Sequence, residues 1–222
     1  MKKKVGIGKA LVVLVMCGTL TWTACSTAWV NEAEQIVAAL IPATANLVAL
    51  VAILQGKNVS AADLQTIQSA GSQAGADLQL MQSLIAAYQQ ADAATQPGLL
   101  NQIQAEMSAV QSTFNGLLPA LHIKDATTQA KITAVVGILL SEVQSVAAIV
   151  PLLNPGAAPG MMAMAAKQVR QQSPLTASEF AVSYNATMTA KTGNAELDHA
   201  AAGLRIHLHG KSARWASAGL LK

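Results

Sequence analysis

Two cysteines are the most reactive side chains in this sequence, and both lie near its start. Cys17 falls inside an apolar run, and Cys25 follows in the stretch LTWTACSTAW, residues 20–29. A cysteine thiol can form a disulfide, bind a metal ion or carry a covalent lipid. The segment before Cys25 decides which of these chemistries the sequence favours.

Residues 1–24 have the layout of a secretory signal peptide. The stretch MKKKVGIGK holds four lysines and no acid, and the eleven residues ALVVLVMCGTL that follow are apolar. A permanent membrane span needs about 20 apolar residues, so this segment is too short for one. We therefore predict that the leader directs export and is then removed.

The stretch Thr23-Ala24-Cys25-Ser26 resembles the lipobox of bacterial lipoproteins. In that family small residues precede the cysteine, signal peptidase cuts just before it, and the thiol carries a diacylglycerol. Trp22 departs from the pattern, because the family usually has Leu there. The resemblance implies a mature protein that begins at an acylated Cys25. Ser26, in place of Asp, implies sorting to the outer membrane.

A second cleavage site lies immediately downstream. Ser26-Thr27-Ala28 is a small-x-small sequence, and cleavage after it yields a soluble mature protein that begins at Trp29. Cys17 is not an alternative lipid site, because Met16 precedes it where a small residue is required. Under either cleavage the mature chain has no disulfide, so its stability must come from packing.

Histidines and methionines are the other residues with metal chemistry. A helix directs His207 and His209 of RIHLHG about 200° apart, so they chelate one ion together only if the stretch is extended. The methionine cluster resembles the thioether clusters of periplasmic copper-handling proteins, but without their repeated spacing it favours apolar packing. We predict no metal site and keep a periplasmic metal-binding protein as a third alternative. The remaining residues concerned are His122, His199, Met161, Met162 and Met164.

Charge divides the chain into two parts. Without the leader, ten basic and eleven acidic residues remain, so the pI near 9.0 of the whole chain does not indicate nucleic-acid binding. Residues 25–165 hold three lysines and eight acids, whereas residues 166–222 hold seven basic residues and three acids. The predicted division is a signal peptide over 1–24, a bundle over 25–153, a linker over 154–174 and a basic helical region over 175–222.

The basic C-terminal region is the second candidate binding site. Arg205, Lys211 and Arg214, with Trp215 among them, could seat on anionic headgroups or on a partner protein. The same basic surface could instead dock on the acidic bundle of its own chain. Both interpretations remain open at the level of sequence.

Apolar residues recur at alternating steps of three and four along four segments, which predicts four amphipathic helices. Ser60 and Asp125 are predicted N-caps of the second and fourth helices, and Pro151 ends the fourth. Gly71 and Ala74 lie in the middle of the second seam, where they let a partner helix approach closely. The predicted seam residues are Val37, Leu40, Thr44, Leu47, Val51, Leu54; Leu64, Ile67, Gly71, Ala74, Leu78, Met81, Ile85, Tyr88; Leu100, Ile103, Met107, Val110, Phe114, Leu117; and Ile132, Val135, Leu139, Val143, Val146, Val150.

Beyond the linker, Thr176 and Glu179 form a predicted capping box for a helix lined by Phe180, Tyr184 and Met188. Asn194 is the predicted cap of a last helix that runs through Leu208. Short loops between the four seams predict an all-α fold, an antiparallel four-helix bundle with a helical C-terminal appendage.

We expect a non-catalytic lipoprotein of the bacterial cell envelope that serves binding or assembly on the periplasmic face. No HExxH, GxSxG, CxxC or phosphate-loop motif occurs, so neither an enzyme nor a cofactor is predicted. The expected partners are a membrane, through Cys25, and a helical protein or a second copy. The alternative is a membrane-active or pore-forming protein that inserts residues 35–56, an uncharged segment long enough to cross a bilayer.

Overall fold

The computed structural model describes residues 7–55, 59–150 and 176–208 of the chain, with side chains of the first helix from Val30 onward. Its described residues form no strand, and one isolated β-bridge joins Gln55 and Val59. Six α-helices follow one another along the chain: α1 Ile7–Ile53, α2 Ala61–Gln90, α3 Gln96–Ala120, α4 Ala126–Ile149, α5 Ala177–Thr189 and α6 Ala195–Ala202.

Helices α1 to α4 form an antiparallel bundle. Short loops connect α1 to α2, α2 to α3 and α3 to α4, and each helix packs on the one that follows it. Helix α4 packs back on α1 and closes the bundle. The predicted all-α fold is thereby confirmed.

The core is built from the predicted seams. All residues of the four seams are buried, and they belong to one continuous apolar cluster together with Phe180 and Tyr184 of α5. A seam that repeats every three and four residues keeps one face of each helix turned toward its neighbours. Burial of these side chains is the main source of stability of the bundle.

The first helix is longer than the predicted one. It runs without a break from Ile7 to Ile53, whereas the seam alone placed its start near Glu32. Pro42 lies inside it and is exposed, so the missing backbone donor falls on the solvent side. The predicted leader is therefore continuous with the first bundle helix from Ile7 onward.

Helices α1 and α2 approach each other closely at Gly71. A Cβ atom added to Gly71 would lie 2.3 Å from Cγ2 of Val48, which is closer than any unstrained contact. Ala74, one turn further along, is fully buried. The small residues of this seam thus receive a helix of the same chain. They are therefore not evidence for a helical partner from another chain. Such a partner stays a prediction.

The predicted N-caps are confirmed. Ser60 Oγ accepts from Asp63 N, Asp125 Oδ1 from Thr128 N, and Asn194 Oδ1 from Leu197 N. Helix α5 begins with a complete capping box, in which Thr176 Oγ1 accepts from Glu179 N and the Glu179 carboxylate accepts from Thr176 N. Each cap provides an acceptor for an otherwise unpaired backbone donor of the first turn.

The C-terminal helices share the core of the bundle. Helix α5 lies against both α1 and α4, and Phe180, Tyr184 and Met188 are fully buried there. The Phe180 and Tyr184 rings lie 6.0 Å apart, and Tyr184 Oη donates to the Ala43 carbonyl of α1 at 3.3 Å. Helix α5 therefore fills the groove between α1 and α4, which we call the α1–α4 groove.

The last helix is shorter than predicted. It ends at Ala202, and residues 204–208 are not helical. Asn185 of α5 donates to the Ile206 carbonyl and accepts from Ile206 N, while Asn46 of α1 donates to the Leu204 carbonyl. The two asparagine side chains thus form hydrogen bonds with backbone groups that would pair within the helix if it were longer. The predicted continuation of the helix through Leu208 is wrong.

Candidate functional site

Cys25, the predicted lipid site, lies within α1, and its side chain falls outside the described ones. Val30, five residues later, is buried, and it is the first residue of α1 whose side chain the structure describes. Helix α4 ends and α5 begins at this end of the bundle, since Glu32 Oε1 accepts from Ala177 N at 2.8 Å. We call it the Cys25 end.

A buried carboxyl group lies near the Cys25 end. Glu142 of α4 is fully buried, and neither of its carboxylate oxygens has a hydrogen-bond partner among the described residues. The charges that act on it come from Glu32 of α1 and Glu179 of α5. The charges of two carboxyl groups near the start of α5, one on α1 and one on α5, therefore act on the buried acid of α4.

The pKa of Glu142 follows from this position. Burial raises it most, and the charges of Glu32 and Glu179 raise it further, to about 8. A desolvated carboxylate without a donor or a cation is unfavourable, so the group keeps its proton at neutral pH. Glu142 is in consequence a neutral acid inside an apolar interface.

Three acidic residues of the bundle do not lie at its surface. Asp63, Asp77 and Glu142 are all buried. Asp63 serves structure, since hydrogen bonds from Ser60 and from His122 N lower its pKa and tie α2 to the loop before α4. The spacing already contained a signal for Glu142, because it follows the seam residue Leu139 by three positions.

A buried lysine holds the other end of α5. Lys131 of α4 is 5% exposed, and its Nζ donates to the carbonyl of Ala190, the C-cap of α5, at 2.8 Å. Burial lowers the pKa of Lys131, and the charge of Asp198 opposes that shift. A cation at a helix C-terminus interacts favourably with the carbonyls there, so Lys131 fastens α5 to α4.

Of the four residues predicted in the basic C-terminal site, only Arg205 lies within the described residues. It is exposed on the segment that Asn46 and Asn185 hold. Asn46 follows Cys25 by 21 residues on the same helix, which corresponds to about 30 Å along its axis. Arg205 and Cys25 therefore reach the same membrane surface only if the bundle lies along it.

Several predicted features lie outside the described residues: Lys211, Arg214, Trp215, His209, the methionine cluster and the linker over 154–174.

The outer surface of α2 and α3 is uncharged. Both helices are described in full, and their charged residues are Asp63 and Asp77, which are buried, and Glu106, which is half-buried. Leu80 is 48% exposed in the same surface. Amides, hydroxyls and small residues make up most of the rest, for example Gln65, Gln68, Ser72, Gln79, Gln104 and Ser108. We call this surface the α2–α3 face.

Two helical stretches are long and apolar enough to cross a membrane by length and composition, Val30–Ile53 and Ala126–Ala148. In each, half of the most apolar window is buried inside the protein. Glu142 lies within the second stretch. Their apolar faces are thus already used by the bundle core.

Within residues 7–55, 59–150 and 176–208, no group of three or more His, Cys, Asp or Glu side chains lies close enough to hold a metal ion. No protein-family model, curated protein or solved structure matches this chain.

Proposed function

We propose that this protein is a non-catalytic lipoprotein of the bacterial cell envelope, a helical binding or assembly module held to a membrane by an acyl anchor on Cys25. The observation that supports this most directly is the position of the lipobox-like stretch. Thr23-Ala24-Cys25 ends five residues before Val30, which is buried in the core of the bundle. Cleavage before Cys25 would remove residues 1–24 and keep every buried residue of the described core in the mature chain.

The proposed anchor would hold the bundle by one end. With the acyl chains in the outer membrane, the start of α1, the end of α4 and the start of α5 face the periplasmic surface of that membrane. The α3–α4 loop around His122 then points away from it, since Asp63 and His122 lie at the opposite end of the bundle.

The described polar side chains favour a structural role over catalysis. Asp63, Asp125 and Glu179 accept from backbone N–H groups at helix starts, and Lys131 donates to a helix end. Asn46 and Asn185 bind the backbone of residues 204–206. Groups that are engaged in this way hold helices and loops in place.

A second candidate function keeps one specific observation in its favour. The stretch Val30–Ile53, which overlaps the segment 35–56, is apolar and long enough to insert into a bilayer. Insertion requires the bundle to open, because Ile36, Leu40 and Leu47 are fully buried in its core. If α4 inserted as well, Glu142 would be exposed to lipid. An ionised carboxylate there costs about 3 kcal/mol.

Replacement of Cys25 separates the two functions. The lipoprotein proposal predicts that the C25S variant is released from membranes by carbonate washing, while the unaltered protein stays bound. A C25S variant that remains in carbonate-washed membranes would contradict the proposal and support insertion of α1.

We infer that the partner is a second copy of this chain, which binds at the α2–α3 face. Amides and hydroxyls each donate and accept hydrogen bonds, so such a face is complementary to itself. It also carries no net charge that would repel its own copy. Leu80, exposed among these groups, would be covered in the pair.

Light scattering across a dilution series tests this interface. We expect a dimer that the L80E variant converts to a monomer, because the substitution places two carboxylates against each other. The matched control is V182E on α5, since Val182 is 67% exposed outside the α2–α3 face. A monomer at every concentration, or equal loss of dimer in both variants, would contradict the assignment.

A further inference from the structure

Glu142 has an environment that a purely structural residue in a bundle core would not need. It precedes the buried seam residue Val143 and follows Leu139 by three positions, on the side of α4 that the core covers. Both of its carboxylate oxygens lack a hydrogen-bond partner in the described part of the chain. Burial of an unpaired acid lowers stability compared with an apolar residue of similar size.

The groups that face Glu142 are acidic on both sides. Glu32 reaches it from α1 and Glu179 from α5. Helix α3, the other helix packed on α4, has Glu106 as its sole titratable residue, and Glu106 is not among the charges that act on Glu142. No described cation acts on this carboxyl group, so its ionisation adds a third negative charge at the start of α5.

Helix α5 is the element placed to respond. Among the bundle helices, α5 packs on α4, which carries Glu142, and on α1. Helices α1 and α4 in addition pack on α2 and α3, respectively. Its first turn depends on Glu32, which accepts from Ala177 N, and on the Thr176–Glu179 capping box. A negative charge on Glu142 would therefore repel Glu32 and Glu179, whose carboxylates hold the start of α5.

We propose that α5 is a pH-sensitive arm of the bundle: the proton on Glu142 keeps α5 docked in the α1–α4 groove, and ionisation of Glu142 against Glu32 and Glu179 weakens that docking. Release of α5 uncovers the groove and admits water to the carboxyl group. This device is independent of the lipid anchor and of the α2–α3 face.

The direction of the pH dependence follows from the two states of Glu142. When docked, burial and the two neighbouring acids raise its pKa to about 8, and when released in water it returns toward 4.5. Below pH 4.5 both states hold the proton, and docking is strongest. As the pH rises toward 8 the released state loses its proton first, so docking weakens by up to about tenfold per pH unit. Above pH 8 both states are ionised and the docking constant levels off.

Amide hydrogen exchange of the purified mature protein between pH 5 and 9.5, corrected for the intrinsic exchange rate, tests the proposal. We expect the protection of residues 177–189 to fall toward pH 8 and then level off, while residues 64–88 of α2 keep theirs. The E142Q variant has no titrating group at this position, so its α5 protection should stay flat over the same range.

Two further variants locate the effect. E32Q keeps an oxygen for Ala177 N but removes one negative charge, so the fall should level off at a lower pH. E106Q, a matched carboxyl-to-amide change on α3, should leave the profile unchanged. A flat profile for α5 in the unaltered protein, the same fall in E142Q, or equal loss of protection in α2 and α5 would each overturn the proposal.

Discussion

The α2–α3 pair and the α1–α4 groove are built on the same helical repeat but differ in how they hold their buried charged groups. The buried acids of α2 accept hydrogen bonds, Asp63 from Ser60 and His122 N, and Asp77 from Gln73. The α2 and α3 seams bring apolar and small residues together, and the opposite surface of both helices is uncharged. The groove instead contains Glu142 and Lys131, both at most 5% exposed, and a fifth helix that arrives from far along the chain.

This difference separates two tasks within one core. The α2–α3 pair needs no polar group from a distant helix to hold its seam, and its outer surface is free for a partner. The groove holds α5 through polar groups at both ends, Glu32 at the start and Lys131 at the end. Such groups respond to pH and to substitution in a way that an apolar seam does not.

The largest expected effect comes from truncation of the aromatic side chain at the centre of the groove. Phe180 is fully buried, as is Phe114 on α3, so F180A and F114A should each lower the free energy of unfolding by about 3–5 kcal/mol. Chemical denaturation followed by circular dichroism measures both. If F180A lost neither stability nor helical signal, α5 would not share the core.

A smaller effect is expected at the other end of α5. K131M keeps most of the buried aliphatic volume but removes the hydrogen bond from Nζ to the Ala190 carbonyl. We expect a loss of about 1–3 kcal/mol in the free energy of unfolding, because that carbonyl loses a charged donor. An unchanged midpoint of denaturation would show that the hydrogen bond does not hold α5.

The smallest effect is expected where α2, a member of the α2–α3 pair, contacts α1. G71A adds a methyl group 2.3 Å from Val48 Cγ2, and we expect a loss of about 1–2 kcal/mol once its better helix propensity is included. G75A, with nothing within 4 Å of the new Cβ, should instead stabilise α2 by up to about 1 kcal/mol. Equal thermal midpoints for the two variants would contradict the close approach.

The seam residues and caps could be predicted from the sequence because they depend on residues three and four apart. Leu78, Phe114 and Leu139 show this for the seams, and Ser60, Asp125, Thr176 and Asn194 show it for the caps. Local spacing is sufficient for such features, since the interacting groups belong to the same helix.

The groove could not be predicted in the same way, because its contacts join residues that are far apart in sequence. The Ile206 backbone binds Asn185, and the Leu204 carbonyl binds Asn46, so α6 ends earlier than its own residues indicate. Burial of Glu142 likewise depends on α1 and α5 as well as on its own seam. The lipid on Cys25 stays a prediction from the lipobox resemblance.

The intact mass of the mature protein, purified from a bacterial host with lipoprotein processing, tests the central claim most directly. The lipoprotein account predicts the mass of a chain that begins at Cys25 and carries three acyl chains. A chain that begins at Trp29, or one that retains residues 1–24, would contradict it.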